Sequence, residues 1–246
     1  MSGRAFAFLG SGEFEPWSEP VDRWLLERAN GDGRVLILPT ASAREGDEVF
    51  DSWATKGLEH YARQGIPAEV APVKTREDAD RPEMVAMLDG PSVAYFSGGN
   101  PFDLAEVLRG TAFWRALYER LEDGLAYAGC SAGVACLTET TFDTAVADLL
   151  SEDVWKPGLG YVRDVLFAPH WDMVDTWFPG ATEKIAASVE PDRTLVALDE
   201  ETAMVGDGAR WEVLGRSGVH LLRDGEWSHH PAGARVELAL SLDGAR

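Results

Sequence analysis

A chain of 246 residues with 42 Asp and Glu against 22 Lys and Arg carries a formal net charge of −20, which sets it against nucleic acid and anionic membranes as partners. Its 45% hydrophobic and 26% charged content is that of a folded globular protein and excludes a disordered chain. Residues 1–246 read as a single α/β domain with room for a substantial core, because no repeat, low-complexity tract or Pro/Gly/Ser-rich linker divides them.

The first apolar run, over 5–9, is too short for a signal-peptide core or a membrane span and gives way at once to Gly10-Ser11-Gly12-Glu13. Short apolar segments then alternate with longer amphipathic ones. Strands are expected at 5–9, 35–38, 69–73, 92–96, 125–128, 165–168 and 195–198. Helices are expected at 20–29, 47–64, 82–88, 102–108, 113–122, directly after Ser131, and at 182–188. This alternation predicts a doubly wound, mostly parallel sheet with helices on both faces. After Asp199 the style changes to hairpins over 204–215 and 219–227, with turns at Gly206-Asp207-Gly208 and Arg223-Asp224-Gly225, which predicts an antiparallel C-terminal edge. The only cysteines, Cys130 and Cys136, have no metal-ligand spacing, so a reduced cytoplasmic protein without metal or other cofactor is expected.

Open α/β sheets bind ligands beyond the carboxyl ends of their strands, and the turns there carry the unusual residues. Gly129-Cys130-Ser131-Ala132-Gly133 follows a buried strand and opens a helix, the pattern of a nucleophile turn in which flanking side chains would clash and the central hydroxyl is exposed. The Ala132 amide can then face an oxyanion. Ser97-Gly98-Gly99-Asn100-Pro101 offers Gly99 as a second oxyanion donor and Asn100 as a helix cap and substrate contact. Pro169-His170-Trp171 places His170 at a strand end as the general base, with Trp171 at the rim of the pocket. His60 falls in an amphipathic helix, His220 in an edge strand, and His229 and His230 in a polar segment. Two acids compete to orient the imidazole, Glu200 at a strand end and Asp143 after the nucleophile helix, and spacing does not choose between them. Rival readings are a thiol enzyme using Cys130 and a silent member of the fold.

Taken together, Ile37-Leu38-Pro39-Thr40-Ala41-Ser42, the Gly98-Gly99-Asn100 turn, the Ser131 elbow, Pro169-His170-Trp171 and Asp199-Glu200-Glu201-Thr202-Ala203 resemble the cyanophycinase/dipeptidase E family of serine peptidases. The resemblance implies a fold similar to class I glutamine amidotransferases and a Ser-His-Glu or Ser-His-Asp relay, with Ser131 as nucleophile and His170 as base. It places Glu200 near the family's late acid and Asp143 near the acid that dipeptidase E-like sequences carry earlier. Pro101-Phe102 and the Pro-His-Trp form stand nearer dipeptidase E than cyanophycinase. The expected substrate is therefore a small peptide, such as a dipeptide with an N-terminal aspartyl residue, with cleavage of the β-aspartyl-arginine polymer as the alternative. An acidic specificity would call for an arginine, and Arg44, Arg163 and Arg193 are the candidates. A homodimer is compatible with acidic surface and abundant aromatics, although no interface is legible.

Overall fold

The computed structural model describes residues 4–243. In chain order the first half contains β1 (Phe6–Leu9), α1 (Glu19–Leu26), β2 (Val35–Leu38), α2 (Asp47–Gln64), β3 (Ala68–Val70), α3 (Arg76–Ala79), α4 (Pro82–Ala86), β4 (Val93–Phe96), α5 (Pro101–Leu108), α6 (Ala112–Glu122), β5 (Ala126–Cys130) and α7 (Ala132–Ala135). The second half contains β6 (Thr140–Phe142), β7 (Trp155–Pro157), β8 (Val162–Arg163), β9 (Val165–Ala168), α8 (Trp171–Trp177), α9 (Ala181–Ser188), β10 (Thr194–Leu198), β11 (Thr202–Gly206), β12 (Arg210–Gly215), β13 (Gly218–Arg223), β14 (Glu226–Pro231), β15 (Arg235–Glu237) and β16 (Ser241–Leu242).

Eight strands form the main sheet in the order β15-β12-β11-β1-β5-β4-β2-β3. The run from β1 to β3 is parallel throughout, and β11, β12 and β15 add an antiparallel edge. Strands β1, β2, β4 and β5 are buried along their whole length, which is why they read in sequence as continuous apolar runs. The twofold alternation of side chains divides each strand between two cores. Ala7, Leu9, Ile37 and Tyr95 face α1 and α2, packing with Val21, Leu25 and Tyr61. Phe6, Phe8, Leu38 and Phe96 point the other way, toward Leu104 and Leu108 of α5 and Leu117 of α6. Among the described residues, no helix is long and apolar enough to cross a membrane.

One expectation about strand placement is corrected. The strands over 165–168 and 195–198, and with them the hairpin over 219–227 expected at the antiparallel edge, do not join the main sheet. As β9 and β10 they pair with each other in parallel and continue into the hairpin β13–β14, giving a second sheet of order β14-β13-β10-β9. A buried parallel pair has the same sequence signature wherever it lies, so periodicity could not assign it to a sheet. This second sheet packs on the face of the main sheet that carries Phe8, where Phe8 meets Phe167 with ring centroids 5.0 Å apart. It carries two of the side chains on which the site depends.

Candidate active site

The Ser131 turn is built by close approach of backbone to backbone. A β-carbon on Gly129 would lie 2.3 Å from the Gly133 carbonyl oxygen, and one on Gly133 would lie 2.5 Å from that of Phe96. Only glycine at both positions lets β5 run straight into α7 beneath β4. Between them Ser131 adopts φ 50° and ψ −105°, a conformation costing about 1–3 kcal/mol for a residue with a side chain. Hydrogen bonds offset that cost: the Ser131 amide donates to Leu9 O at 3.0 Å, and the amides of Val134 and Ala135 donate to Ser131 O. The hydroxyl is left projecting beyond the carboxyl end of β5.

His170 follows β9 in a left-handed conformation, φ 56°, and its carbonyl accepts the first amides of α8. Its Nε2 lies 2.9 Å from Ser131 Oγ, and its Nδ1 lies 3.0 Å from Glu200 Oε1. A carboxylate only accepts, so Nδ1 carries the proton and Nε2 presents its lone pair to the serine hydroxyl. Glu200, just beyond β10, is held in turn by its own amide, which donates to Asp172 Oδ1 at 2.8 Å. Trp177 packs on the imidazole with ring centroids 5.3 Å apart.

The structure brings Glu200 to His170 and takes Asp143 elsewhere. Asp143 Oδ1 accepts from Asn100 Nδ2 at 2.7 Å and from the Ala145 amide. Asn100 uses its Oδ1 to cap α5 through the Phe102 amide, so its side chain is spent on structure and it does not line the cavity at Ser131. Trp171 also turns away, packing on Trp227 with centroids 5.5 Å apart beside a separate groove. Gly99 lines the cavity, Ala132 is buried at the first position of α7 directly after Ser131, and among the described residues neither amide donates a hydrogen bond within the protein. Gly99 has φ 140°, and a β-carbon there would come within 2.5 Å of the Ala41 backbone, so the Pro39–Ser42 segment acts as the buttress for this turn.

Glu13 was not legible as a site residue. It is 6% exposed, yet its Oε1 accepts from the Gly98 amide at 2.6 Å and its Oε2 from the Cys130 thiol at 3.0 Å. It ties the β1 loop to both turns at the serine. Burial, reinforced by the Glu13 charge, pushes the Cys130 thiol well above its ordinary range. A buried, protonated thiol hydrogen-bonded to a carboxylate is a poor nucleophile, which counts against the thiol-enzyme reading.

Ser131 and His170 open into a cavity of about 670 Å³. Much of its wall is apolar: Phe142, Leu149 and Leu150 from the segment after α7, Trp155 of β7, and Trp177 and Phe178 at the end of α8. Among the described residues, no arginine lines it. Arg44 pairs with Asp103, Arg163 with Asp243, and Arg193 with Glu139 and Glu190.

A second carboxylate-imidazole pair lies behind the first. Asp199, adjacent to Glu200, accepts from Ser217 Oγ at 2.6 Å and the Gly218 amide at 3.1 Å, and lies 3.1 Å from His220 Nε2. With His229 these residues bring potential ligand atoms within 4.8 Å of one another, a grouping drawn from three strands or strand ends that sequence spacing does not display. His60, in α2, lies in the interior with its Nε2 2.7 Å from Asp22, away from the cavity.

Known proteins resemble the chain in sequence and in fold. The cyanophycinase of Nostoc sp. is 25% identical over 237 residues, spanning 92% of this chain and 75% of its own. That of Synechococcus elongatus is 29% identical over 226 residues, spanning 87% and 66%. The crystal structure of a peptidase from an acI-B1 Actinobacterium superposes with TM-score 0.86 at 30% identity, covering 96% of this chain and 97% of that one. A Listeria monocytogenes protein described by the name peptidase E shares the fold, with TM-score 0.60 at 18% identity over 94% of this chain and 100% of its own. The family model of peptidase family S51 matches residues 6–214, and on that match the chain belongs to peptidase family S51.

Proposed function

We propose that this peptidase hydrolyses small peptides through an acyl-enzyme on Ser131. The observation that carries the reading is the continuous relay from Ser131 Oγ to His170 Nε2 and from His170 Nδ1 to Glu200. Ser131 Oγ attacks the peptide carbonyl while His170 takes its proton, and Glu200 stabilises the imidazolium that forms. The carbonyl oxygen, now negative, is met by the amides of Gly99 and Ala132. His170 gives its proton to the departing amine, and water, deprotonated by the same nitrogen, releases the acid. Asp143 and Asn100 act at one remove, by fixing the start of α5 behind the oxyanion turn.

Both sheets are read as one catalytic unit, since one supplies the nucleophile and the other the base and acid. Two free, buried cysteines support a cytoplasmic enzyme. The net charge of −20 supports a small substrate over nucleic acid. Labelling with a small fluorophosphonate tests the mechanism: the parent should take one adduct at Ser131 and Ser131→Ala none. Hydrolysis of a peptide panel that includes aspartyl dipeptides and β-aspartyl-arginine then separates a dipeptidase from the activity named for the cyanobacterial relatives. An unlabelled parent would identify a silent member of the fold.

A further inference from the structure

Resting on that peptidase reading, we propose that the side chain accepted beside the scissile bond is apolar, branched aliphatic or aromatic. Five large hydrophobic side chains remain markedly exposed among the described residues, and three of them, Leu150, Trp177 and Phe178, line the cavity at Ser131. They converge on it from two separate stretches of chain, where Phe142, Leu149 and Trp155 complete an apolar wall. Apolar surface gathered into one concavity beside a nucleophile is surface that a substrate covers.

The charges point the same way. Glu13, Glu15, Glu200 and Glu201 all border the cavity, Glu13 held by Gly98 and Cys130 and Glu201 paired with Arg216, and among the described residues no arginine lines it, so an acidic side chain would meet carboxylates. Two of the chain's four lysines also border it. Lys184 is engaged by the Leu150 carbonyl and lies 3.7 Å from Glu152. Lys56 lies 4.6 Å from the Trp53 ring centroid and has no carboxylate partner among the described residues, which leaves it as the less engaged of the two cations an anionic group could use.

The test compares side chains directly. Diphenyl aminoalkylphosphonates bearing benzyl, isobutyl, carboxymethyl or guanidinopropyl groups are timed for covalent labelling of Ser131 by intact mass. Short peptides with Phe, Leu, Asp or Arg on either side of the bond are assayed in parallel. The benzyl or isobutyl member, or the matching peptide, should react roughly ten- to a hundredfold faster than the carboxymethyl one, the span expected for burying one such side chain. Leu150→Arg and Phe178→Arg, at half-exposed positions, should each narrow that ratio and raise the relative rate of acidic substrates. A preference for acidic side chains that disappears in Lys56→Met would overturn the inference. So would Arg variants that slow every substrate by the same factor. Ser131 that reacts with fluorophosphonate but shows no apolar preference sinks this inference alone. Ser131 that reacts with no phosphorus reagent sinks the peptidase mechanism beneath it.

Discussion

Asp199 and Glu200 are neighbours in sequence, each bonded to a histidine, and their environments send them to different tasks. Asp199 is buried and saturated: Ser217, Gly218 and His220 converge on its carboxylate, and the pair fastens β13 to the end of β10. Glu200 faces the cavity at Ser131, and its histidine has a second nitrogen aimed at a hydroxyl. A carboxylate-imidazole pair is therefore not a catalytic signature in itself. What distinguishes the two is the group beyond the imidazole and the open space beside it.

That contrast can be broken by mutation. The largest effect belongs to Ser131→Ala, which should lower kcat by roughly 10⁶ while thermal unfolding stays cooperative and moves little. Glu200→Gln should lower kcat by about 10⁴, as expected when the orienting carboxylate is lost, with little change in unfolding temperature. Asp143→Asn, by comparison, should leave kcat within a few fold. If the two acids behaved alike, the assignment of Glu200 over Asp143 would be wrong.

Asp199→Asn should do the reverse of Glu200→Gln, sparing kcat and costing about 1–3 kcal/mol of stability, because a buried carboxylate with several donors is replaced by an amide that cannot accept them all. Its pH dependence sharpens the point. Burial alone would raise the Asp199 pKa, yet the hydrogen bonds from His220 and Ser217 outweigh it and hold the group below its ordinary value. A depressed folded-state pKa contributes stability that is fully present above the unfolded value of about 4 and is lost as pH falls below it. The difference in unfolding free energy between parent and Asp199→Asn should accordingly be full at pH 7 and shrink in acid. The smallest expected signal is chemical: native Cys130 should resist iodoacetamide for as long as the fold holds, and react only on unfolding.

Much of this was legible in the sequence, for identifiable reasons. Strands 35–38 and 165–168 and the helix over 47–64 coincide with the observed β2, β9 and α2, since apolar runs and a strong amphipathic repeat leave little choice. Ser131 could be read because the glycines on either side are dictated by backbone contact. Helix α8 was missed because its N-cap, His170, has no capping side chain and sits in a left-handed conformation. Trp171 was placed at the pocket rim on proximity to the base, but it packs on Trp227 beside the separate groove, and Trp177, about one and two-thirds turns on, lies against His170. Glu13 gave no signal, as an acid in a glycine-rich loop is ordinary until a buried amide and thiol are found beside it. The apolar wall escaped notice because it is assembled from a long connection and a helix end that have no periodic relation to each other.

Since Ser131 stands at the end of one sheet and His170 and Glu200 at the ends of two strands in another, the distances of 2.9 and 3.0 Å between them also measure how those sheets are docked. The buried aromatic joint around Phe8 and Phe167 should consequently help set turnover without touching the cavity at Ser131. Heating or pressure that loosens this joint by an ångström should silence the enzyme while its strands and helices are still intact.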